Sequence, residues 1–276
     1  MSRRRALISG AAGGMGRACA RLFGATHDLV LTDAADGALA DFSDALRAEG
    51  YTVPFAQAGD LGDDALLADL AASVEGAAFT LVHTAGLSPS MADWRPIMAV
   101  NLVATEKLLR AIEPALAPGS VAVLIASMAG HMAPALPDAR ALLADPLAPD
   151  FLDRIGAVIE AVAGGVHSGA AGLSYMLSKQ AVLGIVERRA MPWGAKGARI
   201  VSISPGMILT PMGRKELAET PGAQQLTDAA PAGRAGTASD VALAAQFLAS
   251  DAASFITGSD LKVDGGGTAV VRAMAG

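Results

Sequence analysis

Short apolar runs recur along the chain: ALIS (6–9), LVLT (29–32), a weaker TVPFA (52–56), FTLVH (79–83), VAVLIAS (121–127), RIVSIS (199–204) and LKVD (261–264). Most are continuous and do not alternate apolar with polar, the pattern of strands covered on both faces in a parallel sheet. Between them lie Ala/Leu-rich stretches of helical length at 14–25, 35–49, 62–74, 95–116, 173–191 and 238–249. Strands and helices in alternation predict a doubly wound α/β domain, with a mainly parallel seven-stranded sheet and crossover helices on both faces. No short repeat and no linker rich in Gly, Ser or Pro divides the chain, so 1–276 is expected to fold as one domain.

Composition narrows the class. The 276 residues are 52% hydrophobic and 17% charged, enough to bury a large core. A net charge of -6 gives no basic footprint, which argues against nucleic acid or an anionic membrane surface as partner. One cysteine, Cys19, excludes an internal disulfide, and with four scattered histidines it leaves no ligand set for structural zinc; no metal is expected. Residues 114–137 carry no charge, but Pro118, Gly119, Ser120, Ser127, Gly130 and His131 interrupt them, so a buried strand is expected there and not a membrane span. The first residues lack the apolar segment of a signal peptide, and with the single cysteine this points to a cytoplasmic protein.

Two segments carry chemistry. ALISGAAGGMGRACARLFG (6–24) leads a strand through a glycine-rich turn into a helix. The missing side chains at Gly10, Gly14 and Gly16 let backbone amides approach a pyrophosphate at the helix N-terminus, although a plain strand-to-helix turn would use the same glycines. Asp33 follows the second run, where an acidic residue accepts hydrogen bonds from an adenosine ribose; it is also placed to cap a helix starting near Ala35, and the roles are compatible. Its carboxylate would repel a 2′-phosphate, and Gly13, Ala34 and Ala35 supply no cation, so NAD is expected over NADP.

SYMLSKQAVLGIVERRA (174–190) places Tyr175 and Lys179 four apart on one helix face. A phenol is a poor base at neutral pH, and a nearby ammonium would lower its pKa and make it usable. Ser127 closes the fifth run, at the end of the sheet where ligands bind in open α/β folds, and its hydroxyl can hold a substrate oxygen.

Together these residues resemble the short-chain dehydrogenases/reductases over the whole chain. The carrying motifs are G-x-x-x-G-x-G at Gly10, Gly14 and Gly16, Asp60-Leu61, TAG at 84–86, Asn101, Ser127, Tyr175-x-x-x-Lys179, PGMILT (205–210) and VDGG (263–266). The resemblance implies a Rossmann fold and a catalytic tetrad of Asn101, Ser127, Tyr175 and Lys179. In it Ser127 polarises a carbonyl oxygen, Tyr175 exchanges a proton with it, Lys179 holds the nicotinamide ribose and tunes Tyr175, and Asn101 keeps a water in a proton relay. It implies cofactor contacts at Gly10, Gly14, Met15, Gly16, Asp33, Asp60, Leu61, Ala85, Gly86, Tyr175, Lys179, Pro205, Gly206, Ile208 and Thr210, with Thr210 anchoring the carboxamide.

Two positions depart from the family pattern: Ser9 replaces its usual Thr, and Thr84 replaces an Asn whose amide ties neighbouring strands. Altered local hydrogen bonding and retained activity are expected. Within the family, RRAMPWGAKGARIVSISPGMILTPM (188–212) and FLASDAASFITGSDLKVDGG (247–266) look most like bacterial 3α-hydroxysteroid dehydrogenase/carbonyl reductases. That resemblance suggests hydrophobic, cyclic secondary alcohols and ketones as substrates. A non-catalytic nucleotide-binding regulator of the same fold is the rival reading, against which the intact tetrad argues.

The interval from Ser127 to Tyr175 is 48 positions, far longer than a loop needs, and 131–173 is expected to form a helical insertion. Phe151, Leu152, Ile155, Val158, Ile159 and Val162 recur at helical spacing, with Asp150 as candidate N-cap and Gly164-Gly165 as the stop; a shorter helix is expected from Asp138 to about Ala144. Its apolar face has two natural partners, the catalytic cleft or a second subunit. The expectation is that it walls the substrate pocket with Met132 and Leu136, and that the chain forms a homodimer or homotetramer. Segment 207–232, rich in Gly, Pro and Met, suits a substrate-binding lid. His131 and His167 flank the insertion and are given no role.

Overall fold

A computed structural model describes residues 3–165, 169–219 and 222–275. Seven strands form: β1 (Arg4–Ser9), β2 (His27–Asp33), β3 (Phe55–Ala58), β4 (Phe79–His83), β5 (Val121–Ile125), β6 (Arg199–Pro205) and β7 (Asp260–Val263). They build one wholly parallel sheet in the order β3-β2-β1-β4-β5-β6-β7. The weak third run shifts along the chain, because Pro54 has no N–H for the ladder and the strand starts just after it.

The helices are α1 (Gly14–Gly24), α2 (Asp36–Ala48), α3 (Asp64–Val74), α4 (Trp94–Met98), α5 (Thr105–Ile112), α6 (Pro137–Leu143), α7 (Phe151–Ala163), α8 (Gly169–Gly194), α9 (Pro211–Glu219), α10 (Ala223–Ala229), α11 (Ala238–Ala249) and α12 (Gly267–Ala275). Continuous apolar strands split residue by residue between two cores, as a period of two requires. In β1, Ala6 and Ile8 join α1, α2 and α11 on one face, while Leu7 joins α3, α5 and α8 on the other. The strand order reverses between β1 and β4, which opens a crevice at the carboxyl ends of these strands.

The expected helix over 95–116 is interrupted. Between α4 and α5 a π-helical segment, Ala99–Ala104, widens the coil at Asn101.

The insertion holds α6 and α7, and their placement corrects part of the expected pocket wall: Met132 lines the cavity beside Ser127, whereas α6, α7 and Leu136 turn to the core. Phe151, Ile155 and Ile159 of α7, with Ala139 and Leu143 of α6, are buried in the same core as Leu173 and Leu177 of α8. Gly156 lies so close to Trp94 that a Cβ would stand 2.4 Å from the indole, and Arg95 pairs with Asp153 at 2.9 Å. Leu136 packs against this core too, because it sits at the N-terminus of α6 and follows that helix onto the sheet's flank. Asp150 stands at the N-cap of α7 without a side-chain capping bond, and its carboxylate faces Arg154 at 3.6 Å. His167 lies outside the described residues.

Candidate active site

The crevice is built on backbone that side chains cannot approach. Gly10 follows β1 with φ of 67°, and a Cβ there would lie 2.7 Å from the Ala85 nitrogen after β4. At Gly16 a Cβ would fall 2.1 Å from the Gly10 carbonyl oxygen, so α1 packs against the turn with backbone alone. No side chain caps α1, which leaves its first amides directed to the crevice. Asp33 stands beside them: its carboxylate accepts from the Ala12 amide at 2.9 Å and the Ala35 amide at 3.0 Å, and so braces the turn against the start of α2. The open cradle, its free amides and a carboxylate at its rim fit an adenine dinucleotide.

At the adjacent rim, exposed Asp60 accepts from the Gly62 amide at 2.7 Å. The Leu61 side chain is buried in the core, which leaves only its backbone for a ligand.

Four expected reacting residues lie around the ends of β4 and β5. Ser127 follows β5 and its hydroxyl accepts from the Ala129 amide at 3.1 Å, capping a short 3-10 turn, Met128–Met132. Asn101 clamps the loop after β4: its side-chain oxygen accepts from the Leu87 amide at 2.7 Å and its amide donates to the Leu87 carbonyl at 2.9 Å. Lys179 and Asn101 both border Gly86, where a Cβ would lie 3.4 Å from the Lys179 Nζ and 3.2 Å from the Asn101 Oδ1. A cleft of about 80 Å³ here is lined by Met15, Gly86, Ser127, Tyr175, Lys179, Pro205, Gly206, Ile208 and Thr210.

Electrostatics correct one expectation. Burial pulls the Lys179 ammonium down to about 8, and its Nζ donates to the Ile125 carbonyl at 2.9 Å. Burial pushes the Tyr175 phenol up to about 12; the Ser127 hydroxyl opposes this and the Glu216 carboxylate adds to it. Desolvation therefore outweighs the expected lowering by Lys179, whose ammonium lies 5.9 Å from the ring centre.

Behind the site runs a polar chain. Ser9 Oγ lies 2.6 Å from His83 Nδ1, His83 Nε2 lies 2.7 Å from Thr105 Oγ1, and Thr105 donates to the Asn101 carbonyl at 2.9 Å. Because the Thr105 proton is committed to Asn101, His83 donates from Nε2 and accepts the Ser9 proton at Nδ1. Burial, followed by the charge of Lys179, pulls the His83 imidazole down to about 3, so the chain is neutral. At Thr84 the expected alteration of hydrogen bonding takes the form of a hydroxyl that donates to the Ser9 carbonyl at 2.7 Å and so still ties the end of β4 to β1. Sequence reasoning missed His83; the signal was a polar residue closing an apolar strand beside Ser9.

His131 also has partners: its Nε2 lies 2.8 Å from Asp260 and 3.1 Å from Ser204, and Asp260 accepts from Ser202 at 2.7 Å. This pins the turn after Ser127 to β6 and β7.

A cavity of about 970 Å³ opens from Ser127 and Tyr175. Met128, Met132, Met176, Met207, Leu226 and Leu261 give it apolar walls, and α9 and α10 from the 207–232 segment form one side. Thr210 accepts from the Gly213 amide at 3.1 Å, so its hydroxyl caps α9, while its methyl meets the turn at Gly14, where a Cβ would stand 2.6 Å away. Lys215 reaches across the cleft and donates to the Ser90 carbonyl at 2.6 Å. Among the described residues no cluster of His, Cys, Asp or Glu could hold a metal, and no helix is long and apolar enough to cross a membrane.

Known proteins share this arrangement. A family model described as short chain dehydrogenase matches residues 4–137, and one described as Enoyl-(Acyl carrier protein) reductase matches 141–268. The 3-alpha-hydroxysteroid dehydrogenase/carbonyl reductase of Comamonas testosteroni is 33% identical over 275 residues, spanning 96% of this chain and 97% of that one. The D-threitol dehydrogenase of Mycolicibacterium smegmatis is 32% identical over 286 residues, spanning 95% and 92%. A 3-oxoacyl-[acyl-carrier protein] reductase with bound NAD from Brucella melitensis superposes with a TM-score of 0.70 at 27% identity, covering 96% of this chain and 91% of that one. With two family models in tandem and relatives alike over nearly their whole length, the chain belongs to the short-chain dehydrogenase/reductase family, oxidoreductases of alcohols and ketones that use nicotinamide cofactors.

Proposed function

We propose that the protein is an NAD(H)-dependent alcohol dehydrogenase/carbonyl reductase that interconverts hydrophobic, cyclic secondary alcohols and their ketones. One observation carries this reading. The 80 Å³ cleft and the 970 Å³ apolar cavity meet at Ser127 and Tyr175, which line both. A bulky ketone in the larger space would present its oxygen to the two hydroxyls, with the nicotinamide held alongside.

Gly10, Gly14 and Gly16 would admit the pyrophosphate, Asp33 the adenosine ribose, and Met15, Gly86, Ile208 and Thr210 the nicotinamide end. When bound, the cofactor supplies or accepts the hydride. Ser127 hydrogen-bonds the carbonyl oxygen, and Tyr175 gives that oxygen its proton during reduction and recovers it during oxidation. With the phenol near 12, the free protein holds the proton that reduction needs. Lys179 has two N–H groups beyond the one given to Ile125, and these suit the ribose hydroxyls. Asn101 would hold the relay water beside Lys179.

NAD is favoured over NADP because Asp33 would repel a 2′-phosphate. Arg17, a cation near the turn, is engaged by the Ala12 carbonyl at 2.8 Å, by the Ala38 carbonyl at 3.4 Å and by the Phe42 ring. The single cysteine, buried Cys19, suits a reducing cytoplasm. For assembly, the insertion covers α4 and α8, whereas Leu243, Phe247, Phe255 and Leu261 leave α11, the segment after it and edge strand β7 exposed and apolar. This favours a dimer through the α11/β7 side, which sedimentation would detect; a monomer would exclude it.

Absorbance of NADH and NADPH across a panel of cyclic and open-chain ketones and alcohols tests the reading. Equal rates with NADPH would overturn the Asp33 assignment. Tyr175→Phe is expected to lower kcat by about 10²–10⁴-fold with NAD binding retained; unchanged turnover would remove the tyrosine from the chemistry.

A further inference from the structure

Glu216 lies on lid helix α9 and borders both the nicotinamide-side cleft and the substrate cavity. Its neighbour Lys215 donates across the cleft to the Ser90 carbonyl at 2.6 Å, which ties α9 to the loop after β4. Of the other charged groups around the cavity, exposed Lys262 has no partner among the described residues and Glu219 faces Lys215 at 4.0 Å, while the rest are matched. Arg234 pairs with Asp240 at 2.8 Å, and Asp264 accepts from the Gly266 and Thr268 amides at 2.9 and 2.8 Å. Among the described residues Glu216 has neither a hydrogen bond nor an ion pair, and its charge is felt at the Tyr175 phenol. Burial pushes its carboxyl up, as for an acceptor that lacks its donor.

An ionised carboxylate only accepts, and a hydroxyl donor in a poorly solvated site would give it a charge-assisted bond. The ligand that occupies this space is the molecule whose reacting oxygen Ser127 and Tyr175 hold. We propose that Glu216 is a specificity-determining residue that accepts a hydrogen bond from a second hydroxyl on the substrate, near the reacting carbon. The preferred substrates are then apolar-bodied hydroxy ketones and diols, and a carboxylate or phosphate at that position is excluded by repulsion. The proposal rests on the oxidoreductase reading above.

The test compares wild type, E216Q and E216A on 2-hydroxycyclohexanone against cyclohexanone by kcat/KM. Calorimetry on the NAD-loaded protein compares trans-cyclohexane-1,2-diol with cyclohexanol. Wild type should prefer the hydroxylated member by about tenfold in both measurements, E216A by less than about threefold, and E216Q, which keeps an acceptor without the charge, in between. Glu to Gln keeps shape on a surface helix, so E216Q decides the matter should E216A melt early. The same preference in all three proteins, or none in wild type, would overturn the Glu216 assignment while ketone reduction left the oxidoreductase reading standing. Absence of any reduction, with the diol still bound about tenfold more tightly by wild type than by E216A, would overturn the oxidoreductase reading and keep the assignment.

Discussion

Helix α8 stands between two regions of opposite character. Towards α4, α7 and the Ser9–His83–Thr105 chain the interior is close-packed: Phe151, Ile155 and Ile159 are buried and each polar atom of that chain has a partner. Towards α9 and α10 the same helix, through Gly172, Tyr175 and Met176, faces a 970 Å³ cavity. Both regions are helical excursions from strand ends, one after β5 and one after β6. The difference lies in what their apolar faces meet, since α7 finds a helix surface that accepts it close-packed and α9 and α10 line a cavity. An amphipathic pattern thus predicts burial without naming the partner.

The largest effect should come from the packed side. Phe151→Ala removes a fully buried ring from the junction of α7 with the core and is expected to cost about 3–5 kcal/mol of stability. Leu226→Ala, on the cavity side and 36% exposed, should cost under about 0.5 kcal/mol and show itself in KM for bulky ketones. Urea titration and steady-state kinetics on both variants check the contrast. If Phe151→Ala altered substrate preference while leaving stability intact, the insertion would be the pocket wall after all.

What was legible in the sequence shares one property. The glycine turn, Asp33 and the Tyr175/Lys179 pair are fixed by short spacings, and a strand-to-helix turn or a helix face translates such spacings directly into geometry. The apolar runs likewise match seven strands, with the largest shift at Pro54 and bounds elsewhere differing by one or two residues, as at β5, which ends at Ile125 and not Ser127. Illegible were features that depend on partners distant in the chain. His83 meets Ser9 and Thr105, which lie 74 and 22 residues away, and Lys215 meets Ser90 across 125. Burial reversed the expected shift of Tyr175, because a spacing of four residues places a charge near a phenol without stating how little water surrounds both.

The close-packed side should also govern the response to acid. His83 titrates near 6.5 in an unfolded chain and near 3 in the fold. Between those values the unfolded state binds the extra proton, so stability rises with pH across the window. The contribution is present above about 6.5 and is lost on acidification towards 3. His83→Asn should cost about 1–3 kcal/mol at pH 7 by breaking the chain, and the gap to wild type should close as the pH approaches 4. A gap of constant size in urea midpoints across that range would mean that water already reaches the imidazole.

The smallest effect belongs to the open side and sharpens the contrast most directly. Lys215 is exposed, and its bond to the Ser90 carbonyl joins α9 to the loop after β4. A surface contact of this kind contributes about 0.2–1 kcal/mol, less than the errors of many stability measurements. It acts, however, on an element that lines the cavity, so if α9 serves as a lid, as proposed, the same small free energy would set how much of the time it covers the substrate. Lys215→Ala should therefore leave urea unfolding unchanged and raise KM by roughly two- to fivefold, the factor that a contribution of this size permits. A close-packed region would convert the loss into stability, and an open one converts it into occupancy. Unfolding that shifted together with KM would show the lid to be packed as tightly as the insertion.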